Sequence, residues 1–291
     1  VLMDLFGNPP FATENTEIGG APPAQTSRAA LFSYIESELL RLENSLPAPR
    51  GNEYGRADKA AAWALLSRLY LNANVYTGSS KNNEAATYAK KVIDAGYSLE
   101  SDYTKLMRAD NHKNTKEFIF TINYDGQKTQ NWGGTTFLTH ASIGGSMNAA
   151  DFGVDGGWGG IRTTKALVNQ FPSQTGTPDA RSQFHSAGQN LEISELTKFA
   201  DGFGITKFKN LNSAGAAGSS LSWTDIDFPL FRTGEAYLNY AEAVVRGATT
   251  GDRSTALSYI NGLRTRAYGN SNGNIGEGDM TLDFMLAERS R

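Results

Sequence analysis

The sequence has no cysteine among its 291 residues, which excludes a disulfide frame, a zinc–thiolate site and a cysteine nucleophile together. It has three histidines, His112, His140 and His185, at spacings that suit no helix-borne metal pair; no metal site is expected, and each reads as a solvated loop residue. Neither sign of charge is in large excess: a net charge of -3 gives no pull toward a phosphate backbone, so nucleic acid is not expected as a partner. No apolar run is long enough to cross a bilayer, and Val1 to Gly7 lack the basic segment and cleavage site of a secretory signal. Two motif-borne chemistries are missing as well. The run Gly144-Gly145-Ser146-Met147-Asn148 lacks the last glycine of a nucleophile elbow, and there is no phosphate-cradling glycine–lysine loop.

What is present is a chain with 39% hydrophobic and 20% charged residues, enough to bury the core of one large domain or two modest ones. Residues 1–27, with Pro9, Pro10, Pro22 and Pro23, read as extended or turning backbone. Leu31, Ile35, Leu39, Leu42 and Leu46 then recur at helical spacing until Pro47 and Pro49. A helical hairpin is predicted over about Arg56–Asn74 and Asn83–Ala95, with Ala60, Ala61 and Ala64 on one stripe and Ala85, Tyr88, Ala89 and Val92 on the other. Small residues facing a tyrosine permit close packing of the tetratricopeptide kind. A second hairpin follows around Ala236–Val244 and Ala256–Leu263, and a third helical pattern runs over Leu282–Arg291, without a stop signal. The chain therefore divides into residues 1–110 and 229–291, helical scaffold, and residues 111–228, irregular and rich in glycine and aromatics. Within that middle region, one helix is expected at Thr163–Phe171 and strands at Phe118–Ile122 and Ile205–Phe208. Long ordered irregular segments usually carry function.

The irregular segment is where ligand chemistry is expected. Tyr124, Trp132, Phe137, Trp158 and Trp223 lie there among Asn123, Gln127, Asn131, Asn148, Asp155 and Arg162. Sugar rings have an apolar C–H face and a polar rim, so a sugar site needs aromatic platforms beside amide, carboxylate or guanidinium partners. The bland alternative is that tryptophans anchor a loop-rich layer. For Trp132 both readings stand; for Trp158, in Gly156-Gly157-Trp158-Gly159-Gly160, a packed plug and an exposed platform both stand; Trp223, beside Asp225 and Asp227, reads as packing. Asp151, Asp155, Asp179, Glu192 and Glu195 would supply a glycosidase pair only if the fold brought two of them to roughly 5–9 Å; otherwise they are solvated or structural.

Four segments resemble one family. Gly55–Leu71 is similar to the "GRATKGAAxALLARVYL" stretch of SusD/RagB proteins, Phe231–Ala243 to "LRYAEVLLNYAEA", Ile260–Ala267 to "INxIRxRA" and Leu282–Arg291 to "LDxILxERxRE". They occur in the family's order, with Gly156–Phe171 resembling an intervening segment. The resemblance implies a mainly α fold, a scaffold of tetratricopeptide-like helical hairpins with a large loop-rich insert. It implies non-catalytic capture of oligo- or polysaccharide at the outer-membrane surface of Bacteroidetes-type bacteria, and delivery to a SusC-like TonB-dependent transporter. No cofactor is implied, with structural calcium left open for the Asp-rich loops. The family's acylated N-terminal cysteine and earliest helices have no counterpart here, so the chain reads as a partial one whose membrane attachment would run through an anchor outside it. Ligand-binding expectations fall on Tyr124, Asn131, Trp132, Asn148, Asp155, Trp158 and Arg162; Arg232, Glu235 and Arg289 match recurrent positions but read as buried pairing. A peptide-docking scaffold and a glycoside hydrolase are the alternatives. A shallow sugar site implies micromolar to millimolar affinity, roughly 4–8 kcal/mol.

Overall fold

The computed structural model describes residues 1–14, 19–114, 116–174 and 176–291. In chain order the first elements are α1 (Leu2–Phe6), α2 (Arg28–Leu42), α3 (Lys59–Leu71), α4 (Ala73–Thr77) and α5 (Asn82–Ile93). The middle of the chain adds β1 (Phe118–Ile122), α6 (Gly134–His140), β2 (Arg162–Thr163), α7 (Lys165–Val168), β3 (Phe184–His185), β4 (Phe203–Ile205) and β5 (Phe228–Arg232). The last elements are α8 (Thr233–Val245), α9 (Arg253–Tyr268) and α10 (Leu282–Ser290).

The helices form a mainly α scaffold of hairpins. Helix α2 begins where the Ser27 hydroxyl accepts from the Ala30 amide, and α9 where the Asp252 carboxylate accepts from Ser254 and Thr255. Helix α5 lies between α3 and α8, and α8 packs in turn on α9. That arrangement depends on small side chains: Ala85, Ala86 and Ala89 of α5, Ala241 and Ala243 of α8 and Ala256 of α9 are fully buried in one core with Leu66, Tyr70, Tyr240 and Ile260. Ion pairs tie the hairpins across the core. Arg68 of α3 forks onto Glu235 of α8 with two 2.7 Å bonds, Arg289 of α10 reaches Glu242 of α8 at 2.8 Å, and Arg232 meets Glu117 at 2.8 Å. The three recurrent charged positions are thus held in pairing within the scaffold.

The start of α3 is a point of high leverage. One Asp58 oxygen accepts from the Ala60 and Ala61 amides at 2.8 and 3.2 Å, and the other takes the Arg50 amide at 2.6 Å and the Tyr97 hydroxyl at 2.9 Å. Asp58→Ala therefore removes a helix cap and strands further buried donors, an expected loss of about 2–4 kcal/mol by urea denaturation. Asp58→Asn, which keeps one acceptor oxygen, should recover part of it; equal losses in both variants would refute the capping account.

The middle of the chain departs from expectation in several places. Helix α6 was not anticipated: Gly-Thr-Thr-Phe-Leu-Thr-His is a poor helix former. It is stabilised from outside, by burial of Thr135, Thr136 and Thr139 and by the bond from the Thr135 hydroxyl to the Ile226 carbonyl at 2.7 Å. The helix expected over Thr163–Phe171 is the single turn α7, and the strand expected at Ile205–Phe208 forms instead at Phe203–Ile205, in a three-stranded antiparallel sheet ordered β2-β4-β3. Near the start, Leu2–Phe6 is helical where extended backbone was expected; part of that expectation falls on residues 15–18, outside the described residues.

The element that matters most for function is the antiparallel pair β1–β5, in which Phe118 faces Arg232 and Ile122 faces Phe228. The chain leaving β1 and the chain entering β5 therefore start side by side at one end of the scaffold, although they are about a hundred residues apart in sequence.

Candidate functional site

Three loops meet at that end, and each carries one tryptophan. Residues 123–134 leave β1, residues 155–160 follow a 3-10 turn at Ala149–Phe152, and residues 218–227 lead into β5. Hydrogen bonds lock them together. The Tyr124 amide donates to Asp227 at 2.7 Å, the Gly126 amide to Asp225 at 2.7 Å and the Gln127 side-chain amide to the Ser219 carbonyl at 2.7 Å. The Asp155 amide donates to the Leu221 carbonyl at 3.1 Å, and the Asp155 carboxylate accepts from the Ser222 hydroxyl. Asn111, fully buried behind them, clamps the Asp227 backbone through both its amide nitrogen and its carbonyl oxygen.

The result is a contiguous aromatic cluster. Trp132 stands between the other two indoles, its ring centroid 4.1 Å from that of Trp223 with the planes inclined at 48°, and 5.9 Å from that of Trp158 at 60°. Trp132 is 60% exposed and Trp158 43% exposed, and Phe137, also exposed, lies 6.0 Å from Trp158. Trp158 is thus an exposed platform, not a packed plug. Trp223, expected to be a packing residue, is half-buried and joins the same surface.

Trp158 is held from below by His140, whose ring stacks on it at 4.9 Å and 16°. This corrects the expectation for His140: it is 1% exposed on α6, and its Nδ1–H donates to the Gly156 carbonyl at 2.7 Å, so it fixes the glycine run that carries the tryptophan. Gly157 is required there, since a Cβ would run into the Ile143 carbonyl. The other histidines differ from each other: His112 is exposed, whereas His185 of β3 bonds the Ser146 hydroxyl at 3.0 Å.

The remaining expected residues fall at different distances from the cluster. Tyr124 packs its phenol against Gly134 at the start of α6, and Asn131, next to Trp132, accepts from the Gly133 amide at 2.9 Å. Asp155, exposed, reaches the same rim through Ser222. Asn148 caps the Ala149–Phe152 turn, and Arg162 of β2 donates to the Leu196 carbonyl at 2.8 Å with its guanidinium over Phe199, whose ring lies against Gly159. The structure therefore gathers Tyr124, Asn131, Trp132, Asp155 and Trp158 at one surface, while the contacts of Asn148, itself exposed, are with its own turn and those of Arg162 with Leu196 and Phe199. Trp223, read as packing, Gln127, and His140, read as a solvated loop residue, also take part in the cluster, though none of them is among the ligand-binding expectations. Of the other carboxylates, Asp179 is buried in a fork with Arg181, whose hydrogen bonds and charge hold it below the usual range against the opposing effect of burial, and Glu192 pairs with Lys165. Among the described residues, no group of three or more His, Cys, Asp or Glu side chains is arranged to hold a metal ion.

Gly134 offers a local probe. Its φ of +58° suits glycine, and a methyl group there would overlap the Tyr124 phenol. Gly134→Ala is expected to cost about 1–3 kcal/mol of stability and to displace Tyr124, read as altered tryptophan fluorescence from the neighbouring cluster. An unchanged spectrum would mean that Tyr124 does not brace it.

Comparison with known proteins gives the following. The family model described as the SusD family matches residues 186–291. The starch-binding protein SusD of Bacteroides thetaiotaomicron is 34% identical over 314 residues, spanning 91% of this chain and 55% of its own length. The SusD-like protein P2 of Formosa agariphila is 24% identical over 99% of this chain and 58% of its own length. The chain thus spans a little over half the length of these curated relatives. A solved SusD superfamily protein from Parabacteroides distasonis shares the fold, with a TM-score of 0.74 at 22% identity over 99% of this chain and 61% of that one. Surface glycan-binding protein A of Bacteroides uniformis does too, at 0.70 and 21% over 99% and 59%.

Proposed function

This chain belongs to the SusD family, and from that premise we propose that it is a non-catalytic glycan-binding unit whose site is the tryptophan cluster at the open end of the β1–β5 pair. The observation that carries the reading is the convergence of Trp132, Trp158 and Trp223 from three loops onto one exposed surface. Indole faces take the C–H faces of pyranose rings, while Asn131, Gln127 and the Asp155–Ser222 pair supply donors and acceptors for hydroxyl groups. Because the three planes are inclined to one another, a straight, flat ribbon of sugar cannot lie on all of them, and a curved chain can touch successive faces. The likeness to a starch-binding relative supports the same class of ligand, an α-glucan.

Affinity at such an open surface is modest, and capture of a polymer gains from repeated contacts along it. In the same proposal, ligand held in this way passes to a SusC-like TonB-dependent transporter at the outer-membrane surface, a step that rests on the family resemblance alone. Attachment to that membrane through a lipid anchor outside this chain belongs to the same proposal and rests on the family resemblance; no helix among the described residues is long and apolar enough to cross a bilayer.

The test is affinity electrophoresis of the chain through gels containing starch, and plant, algal, host and bacterial polysaccharides, with reducing-end release measured in parallel. Retardation by at least one polymer without release of sugar is expected. Release of sugar would favour a glycoside hydrolase; retardation by none would favour a peptide-docking scaffold.

A further inference from the structure

Strand β1 lines a cavity of about 200 Å³ that the tryptophan cluster does not use. Four consecutive residues of the strand, Phe118, Ile119, Phe120 and Thr121, form part of its wall. Side chains alternate between the two faces of a strand, so a cavity that touches all four lies against the strand's edge. Strand β5 occupies one edge of β1 and the sheet has no third strand, so the cavity lies along the open edge. On that edge the main chain of residues 118–121 makes no backbone hydrogen bond to any other described residue, although Phe118, Ile119 and Thr121 are buried. Buried main-chain donors and acceptors call for partners, and the cavity is where a partner would sit.

The opposite wall is the loop of residues 50–57. It is tied down at several points: the Arg50 amide donates to Asp58 at 2.6 Å, the Asn52 side-chain amide to the Ala57 carbonyl at 2.9 Å and the Tyr54 hydroxyl to Asp227 at 2.6 Å. Arg50 has a φ of +61°, and among the described residues no other non-glycine residue has a positive φ. Such a conformation is disfavoured for any side chain and persists where surrounding contacts impose it. Arg50 is exposed and gives an Nη1–H to the Gly96 carbonyl at 3.0 Å, while its Nε and Nη2 bond no described residue. Beside it, the Tyr54 ring is 41% exposed, and Glu53 and Arg56 pair loosely at 3.2 Å. An aromatic face with guanidinium and carboxylate neighbours is the combination that a sugar ring requires. Two arginines, Arg50 and Arg56, stand with two carboxylates, Glu53 and Asp58, around the cavity, so its charge balances and suits a neutral ligand.

The cavity adjoins the root of the loop that carries Trp132. Asp227 accepts from Tyr54 on the cavity side and from the Tyr124 amide on the cluster side, and Gly55 lies against the Asn123 side chain. Pockets for drug-sized ligands measure roughly 300–1,000 Å³; this smaller one suits a single sugar residue and is too short for a peptide strand laid along the whole edge.

We propose that this cavity is a second sugar subsite, holding one terminal or branching glucosyl residue of the α-glucan whose main chain lies on the tryptophans. The inference rests on the glycan-binding reading of the cluster, and it adds a site that selects chain ends and branches.

D-glucose and maltose are the probes, followed by amide chemical shifts of the isotope-labelled chain. Either sugar should shift the amides of Tyr54, Gly55 and residues 118–121 saturably, with a midpoint on the order of millimolar. Trp132→Ala should leave these shifts intact, because Trp132 does not line the cavity. Arg50→Gly, whose glycine suits the positive φ, should weaken them about fivefold or more through loss of a charged donor. Arg56→Ala, at a side chain 71% exposed, is the second variant should Arg50→Gly not fold, and is expected to act in the same direction. A parent chain that is retarded by polysaccharide yet shows no shift at these amides up to ~100 mM glucose, far above the millimolar range, would overturn the second subsite and leave the cluster's role standing. Shifts confined to the tryptophan indoles, or binding unchanged in a folded Arg50→Gly or Arg56→Ala chain, would do the same. Absence of both retardation and shifts would overturn the glycan reading itself, and this inference with it.

Discussion

Trp132→Ala is expected to abolish retardation of the chain by any polysaccharide that retards the parent, a loss of at least tenfold in affinity, or about 1.4 kcal/mol. The size follows from its place. Trp132 is the indole that touches both of the others, 4.1 Å from Trp223 and 5.9 Å from Trp158, so its removal both deletes one platform and breaks the continuity of the surface. Central aromatic anchors carry a disproportionate share of binding energy in interfaces of this kind. Stability should barely change, within about 1 kcal/mol, because the ring is 60% exposed. Trp158→Ala should weaken binding similarly but at a greater cost to folding, since it uncovers the buried His140 ring stacked beneath it. A folded Trp132→Ala chain that is retarded as strongly as the parent would remove the cluster from the binding site.

The scaffold was legible because its signals are local. Leucines from Leu31 to Leu46 recur at helical spacing, alanines and tyrosines share the helical stripes, and the two hairpins appear in structure within a few residues of where periodicity puts them. The site was legible only in part. Exposed tryptophans beside asparagine and glycine could be noticed as residue types, but Trp223 could not be told from a core anchor. What decides its role is that Asp225 and Asp227 beside it bind the backbone of Gly126 and Tyr124, a hundred residues upstream. His140 reads as a loop residue in the sequence for a related reason: α6 has little intrinsic helix propensity and exists because its buried threonines bond the 224–226 segment. Asn148 and Arg162 have suitable chemistry for a sugar, and the fold employs them as a cap and a loop tie.

Glu288→Gln is expected to be the most destabilising single change in the chain, by about 3–5 kcal/mol, since removing one member of a buried ionic network leaves the others charged and unmatched. Its two oxygens accept from Arg181 at 2.7 Å, Arg264 at 2.6 Å and Arg291 at 2.9 Å, joining the 179–182 turn, α9 and the end of α10, with its side chain wholly buried. Burial opposes ionisation of Glu288, but Arg181 foremost, then Arg264 and Arg291, more than offset it and hold the carboxyl below its usual range; Asp179 is lowered likewise, chiefly by Arg181. A carboxyl whose folded pKa is depressed contributes stability that is fully present above its unfolded value, about 4 for Asp and Glu, and is lost as pH falls through the folded value. The parent should therefore lose stability steeply below about pH 4, while Glu288→Gln, already weakened at pH 7, should show a shallower acid limb because one of the depressed carboxyls that titrate there is gone. Thermal unfolding at pH 7 and between pH 3 and 5 measures both effects. A variant within 1 kcal/mol of the parent at pH 7, or one with an equally steep acid limb, would mean that the arginines around Glu288 find other partners and that the network does not depend on this carboxylate.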